Sequence, residues 1–320
     1  MIQTVALSII LILSGWNVDA RTDDGMGFET FNTLEPIRSV LSDTDPGIDF
    51  GSDCTSGRDF QLTLVNSYDV SEWPFGLDAF EPAGYTFIVA IEKSGTPNVT
   101  YFDPLSGMSN EGSFGLHGLN GNPYGVAWNN SSDSAASTFL TDNHYAPADT
   151  MFLTEDFGAT WSMVTDPGGY KFRGMDYDGS WYWGTYGNST DNKLCRFQLG
   201  GPEIYYELPE LGPAETPNDV AIVPSGGETL IIVTSYYTEY FLIYSWDGAS
   251  LTYLGSADLP ELPVGEFEMT AGLTYLEANG HLYWSYMVFP PWSDDYWIAE
   301  LALNETPIQN STWGSIKSSF

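Results

Sequence analysis

Five short segments of this chain open alike: FGLDAF (75–80), YGVAWN (124–129), RGMDYD (173–178), NDVAIV (218–223) and AGLTYL (271–276). Aligned on one apolar residue, Leu77, Val126, Met175, Val220 and Leu273 fall in register, at steps of 49, 49, 45 and 53 residues. A unit that recurs at about 50 residues cannot bury its apolar face alone and must stack on its neighbours. The residue after each register position is small or short and polar: Asp78, Ala127, Asp176, Ala221 and Thr274. Such residues suit an innermost strand crowded against an axis. Three further strand-like runs follow most openings, as in SWYWGTY, KLCRFQL and IYYELPEL after the third. Four strands per repeat is the size of a propeller blade. The fifth repeat supplies HLYWSYM and YWIAELAL but no fourth strand, whereas FQLTLVNSY (60–68) stands unclaimed upstream. Its addition to the last unit would close a ring. The spacing therefore predicts an all-β fold, a five-bladed β-propeller over 60–303 closed by its N-terminal strand. The alternative has six blades, with a degenerate one built from 21–59.

Composition agrees. Hydrophobic residues make up 42% of the 320, with 11 Trp, 20 Tyr and 18 Phe, enough to fill a large core and to exclude wholesale disorder. Runs such as TFIVAI and YFLIYSW are β-branched and aromatic, separated by Gly, Pro, Asn and Asp. Long amphipathic helical patterns are lacking. The formal net charge is −34 and only nine residues are Lys or Arg. That balance excludes a surface that tracks nucleic-acid phosphates or anionic lipid.

Residues 1–20, MIQTVALSIILILSGWNVDA, carry an apolar run too short to span a bilayer, with Val18 and Ala20 before Arg21 in the small-residue pattern of a cleavage site. We expect a signal peptide over 1–20 and a secreted protein, extracellular or periplasmic, without a membrane span. An acidic Pro/Gly-bearing segment (21–59) would precede the propeller and a tail (304–320) would follow it. The two cysteines, Cys54 and Cys195, show no metal-binding spacing, and nothing in their positions demands a bridge.

One motif is specific. Thr154, Asp156, Gly158, Thr160 and Trp161 occupy the fixed positions of Ser/Thr-x-Asp-x-Gly-x-Thr-Trp. The segment resembles the Asp-box (BNR repeat) of sialidase-like propellers. The resemblance implies a structural turn between third and fourth strands of a blade: the carboxylate accepts turn N–H bonds, Gly permits positive φ, and Trp packs between sheets. It does not imply sialidase chemistry, which in that family uses three arginines. Of the five here, only Arg173 begins an innermost strand.

By fold analogy, loops entering each blade and loops joining second to third strands share the functional face. For a glycan or protein partner we single out Trp73, Tyr124, His144, Arg173, Trp292, Asp294 and Asp295, because rings beside carboxylates and donors suit sugar binding. Glu72, Asn122, Asn218 and Glu268 each precede an innermost strand in a different blade, and converging oxygens suit calcium as a cofactor. PNDVAIV (217–223) loosely resembles a strand opening of gluconolactonase-like propellers, which hold an axial divalent ion. The sequence thus points first to a non-catalytic binding module. The alternative is an enzyme, a glycoside hydrolase/lyase or a metal-assisted lactonase.

Overall fold

The computed structural model describes residues 58–307, apart from 71–73, 82–85, 93–97, 116–122, 130–138, 144–149, 157, 166, 189–190, 213–214, 237, 264–265 and 290–295. The expected leader, most of the acidic segment and most of the tail lie outside the described residues. Twenty strands form five four-stranded antiparallel sheets arranged in a ring, a five-bladed β-propeller. Among the described residues the only helical pieces are two short 3₁₀ turns, at Pro104–Ser106 and Pro167–Gly169.

The first strand, β1 (Arg58–Val70), is set apart from blade 1, which runs outward from its inner strand as β2 (Pro74–Phe80), β3 (Phe87–Glu92), β4 (Asn98–Asp103) and β5 (Ser109–Gly115). Blade 2 is β6 (Pro123–Trp128), β7 (Phe139–Asn143), β8 (Thr150–Thr154) and β9 (Ser162–Thr165). Blade 3 is β10 (Met175–Tyr177), β11 (Tyr182–Asn188), β12 (Asp191–Phe197) and β13 (Glu203–Glu207). Blade 4 is β14 (Pro217–Ser225), β15 (Glu228–Ser235), β16 (Tyr240–Trp246) and β17 (Leu251–Asp258). Blade 5 takes β18 (Glu266–Leu276), β19 (His281–Phe289) and β20 (Tyr296–Pro307), and its outer strand is β1 (Arg58–Val70).

The two ends of the chain therefore meet in one sheet. β1 and β20 pair from Arg58↔Pro307 to Val70↔Tyr296, with one irregularity between Leu64 and Asn66. The pairing extends beyond the expected 60–303 at both ends, and Arg58 is held there by Glu305, 2.6 Å away, and by Glu228 of blade 4. Blade 5 also abuts blade 1 directly, since Thr274 donates to Asp78. The described residues thus form a ring of five blades and not six.

Each register residue, Leu77, Val126, Met175, Val220 and Leu273, is buried. Apolar clusters fill the spaces between sheets. Blades 4 and 5 share one that includes Ile232, Phe241, Trp284 and Leu301, and Phe60 and Leu62 of β1 join it. Leu77, Ile88, Tyr283 and Ile298 pack across blades 5 and 1. The inner strands approach so closely that a side chain at Gly272 would meet the Leu77 backbone nitrogen at 2.6 Å. Glycine precedes the register residue in four blades for this reason; in blade 4 the position is Asp219.

The 154–161 turn joins β8 to β9. Asp156 Oδ1 accepts from the Thr160 backbone N–H at 2.8 Å and Oδ2 from the Thr160 hydroxyl at 2.6 Å. The buried Thr154 hydroxyl donates to Asp156 at 2.8 Å and accepts from Gly158 N at 2.9 Å. Gly158 has φ +79°, where a side chain is strained. Trp161 packs with Phe114 and Phe139 between blades 1 and 2. Cys195 is a buried free thiol, its pKa pushed up to about 12, chiefly by desolvation. Cys54 lies outside the described residues.

Candidate functional site

The innermost strands all run in the same sense, so their first residues share one end of the ring. Phe75 comes from blade 1, Tyr124 from blade 2, Arg173 from blade 3, Asn218 from blade 4 and Met269 from blade 5. Tyr236 joins them from the connection between β15 and β16. Phe75, Tyr124 and Tyr236 form one buried cluster with Met269 packed against it. The Phe75 and Tyr124 rings meet edge to face at 4.2 Å, and Tyr236 lies 6.3 Å from Phe75. The Arg173 guanidinium sits against this cluster, 4.9 Å from the Tyr236 ring centre and 5.9 Å from that of Tyr124. Its Nη1 donates to the Tyr236 hydroxyl at 2.9 Å, and only 4% of the residue is exposed. A planar cation on aromatic faces is a strong arrangement when desolvated.

Asn218 is buried beside this cluster. Its amide nitrogen donates to the Ala271 carbonyl and to Thr270 O at 3.3 Å. Its Oδ1 has no hydrogen-bond partner, and neither have the buried hydroxyls of Ser235 and Thr270. A connected chain of bonds links the three residues, because Thr270 N donates to the carbonyl of Tyr236, the neighbour of Ser235. Farther out on the same end, Tyr170 packs on Tyr186 and Tyr205 at 4.3 and 5.1 Å, with the Lys193 ammonium 5.7 Å from the Tyr170 ring centre. A groove of about 580 Å³ lies at the rim of blade 4, lined by Glu239, Tyr240 and Asp258–Leu262 residues including Glu261.

Three carboxylates lie deeper. Asp176 Oδ1 accepts from its own neighbour Tyr177 N at 2.6 Å, and Oδ2 from Ile222 N of blade 4 at 2.7 Å. Asp219 repeats the arrangement with Val220 N at 2.8 Å and Leu273 N of blade 5 at 2.7 Å. Asp78 does so with Ala79 N at 2.6 Å and with Trp128 N of blade 2. Thr274 of blade 5 adds a hydroxyl to Asp78 at 3.3 Å. Burial raises all three acids, Asp176 to about 7 and the others well above the usual carboxylate range. Their mutual repulsion raises Asp78 and Asp219 further. Both oxygens of each acid are occupied by backbone amides, so none of the three is placed as a free acid or base.

Of the residues singled out from sequence, the structure brings Tyr124, Arg173 and Asn218 together at the axis. Glu268 lies on β18, and only its backbone is described. Glu72, Trp73, Asn122, His144, Trp292, Asp294 and Asp295 lie outside the described residues. Among the described residues no group of three His, Cys, Asp or Glu side chains is placed to hold a metal ion. Sequence reasoning missed Phe75 and Met269 as parts of the cluster on which Arg173 sits. Their apolar character at the start of an inner strand was the available signal.

A five-bladed propeller with an aromatic and cationic axial end defines the class of this protein. No protein-family model matches the chain, and no curated protein matches it. Among solved structures it is similar to the GH43_1 enzyme from Xanthomonas citri complexed with xylose, at TM-score 0.53 and 9% identity, over 78% of this chain and 96% of that one. It is also similar to Myxococcus xanthus glutaminyl cyclase, at TM-score 0.51 and 14% identity, over 77% and 98% of the two chains. Identities this low establish a shared fold alone.

Proposed function

We propose that this is an exported binding protein whose axial end takes a carbohydrate. The observation that carries the reading is Arg173, seated on Tyr124 and Tyr236 where residues from all five blades converge. Aromatic faces pack on sugar rings, and a guanidinium supplies directed donors to their oxygens. Trp73, His144, Trp292, Asp294 and Asp295, which lie outside the described residues, are the side chains this reading expects to complete the contact. The 154–161 turn acts in this reading as a structural Asp-box, remote from the ligand. Screening the mature protein against immobilised glycans tests the proposal. Tyr124→Ala should weaken the best hit at least about tenfold, the loss expected for one good stacking contact, measured on the folded fraction because loss of a buried ring also lowers the melting temperature. A wild type that retains no glycan, or a Tyr124→Ala variant that binds as well, would reject it.

A second reading, a metal-assisted enzyme, is favoured by one observation: the buried Asn218 Oδ1 lacks a partner. An amide oxygen is a fitting calcium ligand, and Glu72, Asn122 and Glu268 would supply the rest. Bound calcium would add stability by mass action. A calcium-dependent rise in melting temperature that disappears in Glu268→Gln supports this reading. No rise in the wild type removes it.

A further inference from the structure

A second, smaller hollow lies at the end of the ring opposite Arg173. It measures about 170 Å³ and opens between blades 4 and 5. Val223 and Leu230 line it from blade 4, and Tyr275, Leu282 and Leu303 from blade 5, with Glu305 on its rim. Val223, Leu230 and Leu282 belong to the core shared by these blades, whereas Tyr275 and Leu303 pack against that core and stay partly exposed. An apolar cavity of about 150 Å³ takes one benzene ring, so this hollow fits a single aromatic side chain.

The chain leaves the ring beside it. Leu303 and Glu305 lie on β20 just before its end at Pro307, and residues 308–320, IQNSTWGSIKSSF, follow outside the described residues. The four residues of strand from Leu303 to Pro307 cover about 14 Å. The six from Pro307 to Trp313 reach about 20 Å when extended. That length allows a turn and a return to the level of Leu303.

Charge selects the same segment. Arg58 is held here by both Glu305 and Glu228, which leaves one carboxylate in excess. Of the 43 Asp and Glu residues in the chain none follows Glu305, and Lys317 is the one Lys or Arg after Arg196. The segment therefore brings a cation and no acidic side chain to an acidic rim. Residues 42–53, SDTDPGIDFGSD, also approach this end, since Arg58 pairs with Pro307, but they carry four acids and would add like charge.

We infer that residues 308–320 are a latch: the chain turns back after Pro307 and seats the Trp313 indole in the hollow between blades 4 and 5, with Lys317 drawn to the acids around it. A buried aromatic ring there adds apolar contact at the seam where the two ends of the ring meet. The seat lies at the opposite end from Tyr124 and Arg173 and is independent of the carbohydrate reading.

Photo-crosslinking in the intact protein tests the seat. With p-azidophenylalanine in place of Trp313, irradiation and mass spectrometry should find the cross-link on residues 223–230 or 275–282, both far from it in sequence. Cross-links to residues 21–57, to the Arg173 end or to a second copy overturn the inference, as does the lack of any link to the two expected stretches. Urea unfolding supplies a second measurement. Trp313→Ala and a chain ending at Pro307 should each shift the unfolding equilibrium toward the unfolded state by at least about tenfold. Trp313→Phe, which keeps a ring, should shift it less. A Trp313→Ala protein as stable as the wild type overturns the inference, and so does a Trp313→Phe protein as weak as Trp313→Ala.

Discussion

Aspartate plays two opposite parts in this molecule, and environment decides which. Asp156, Asp103 and Asp247 are exposed turn residues whose carboxylates collect hydroxyl and amide donors, and each is held below the usual carboxylate range. Their contribution is present above the ordinary value and is lost as pH falls through the lowered one. Asp78, Asp176 and Asp219 accept similar bonds, but desolvation outweighs them and the sign reverses. The 154–161 turn shows the same rule in another form. Its acid, Asp156, is on the surface, whereas Thr154 is 2% exposed and satisfies the buried Gly158 N–H. We expect Thr154→Val to cost about 1–3 kcal/mol, the penalty of an unsatisfied buried donor, and Asp156→Ala to cost less. Denaturant unfolding of the two variants compares them directly, and the reverse order would refute this assignment. At the axis, Tyr236→Phe removes the hydroxyl that takes Arg173 Nη1 while keeping the ring. It should weaken carbohydrate binding less than Tyr236→Ala in the same titration.

At the scale of elements, the strands are fixed twice over, by hydrogen-bonded neighbours within a blade and by close approach between blades. β1 is the element on which the ring depends. Its pairing with β20 spans the whole strand, and Phe60 and Leu62 complete the core between blades 4 and 5. Removing residues 58–70 would leave β20 as an unpaired edge and open that core. We expect such a chain to lose cooperative unfolding and to aggregate, as followed by calorimetry and light scattering; a truncated protein that melts like the intact one would show that closure is dispensable. The inner strands are a tighter constraint still. Gly272→Ala places a methyl group within 2.6 Å of the Leu77 backbone. Because a backbone neighbour cannot swing aside, this small change should be as harmful as Leu273→Ala, for which a buried large-to-small substitution costs about 2–5 kcal/mol. Thermal melts of the two variants provide the comparison.

For the whole molecule, the dominant quantity is charge. The net charge is −34, and no Lys or Arg occurs between Arg196 and Lys317. Blade 4 and strands β18–β20 of blade 5 are therefore built without Lys or Arg, and Arg58 of β1 brings the one guanidinium to this side, held by Glu305 and Glu228. Self-repulsion at this density opposes compactness and is screened by salt. Raising NaCl from about 0.05 to 0.5 M at neutral pH should raise the melting temperature, measured by differential scanning calorimetry. An unchanged or lower value would mean that surface repulsion contributes little to stability.

The register of the repeats and the closing strand were legible in the sequence by itself, which favoured five blades over six; the assembled sheets decided that number. Register and closure follow from a short-range pattern repeated five times: an apolar residue that must be buried, a small one beside it, and one strand missing at one end and spare at the other. The strand limits at Arg58 and Pro307 were not legible, because the alternation fades where β1 and β20 pair at the surface. Tyr124, Arg173 and Asn218 could be placed at one end of the ring from their position before an inner strand. That Arg173 would lie buried against Tyr236, 63 residues away, could not, because the contact joins blades whose relative placement exists only in the closed ring. The same holds for Asp78 and Asp176, which the repeat marked merely as short polar residues. Only when adjacent inner strands are brought together does each carboxylate find the next blade's amide, lose its water and acquire a proton affinity that no local pattern encodes.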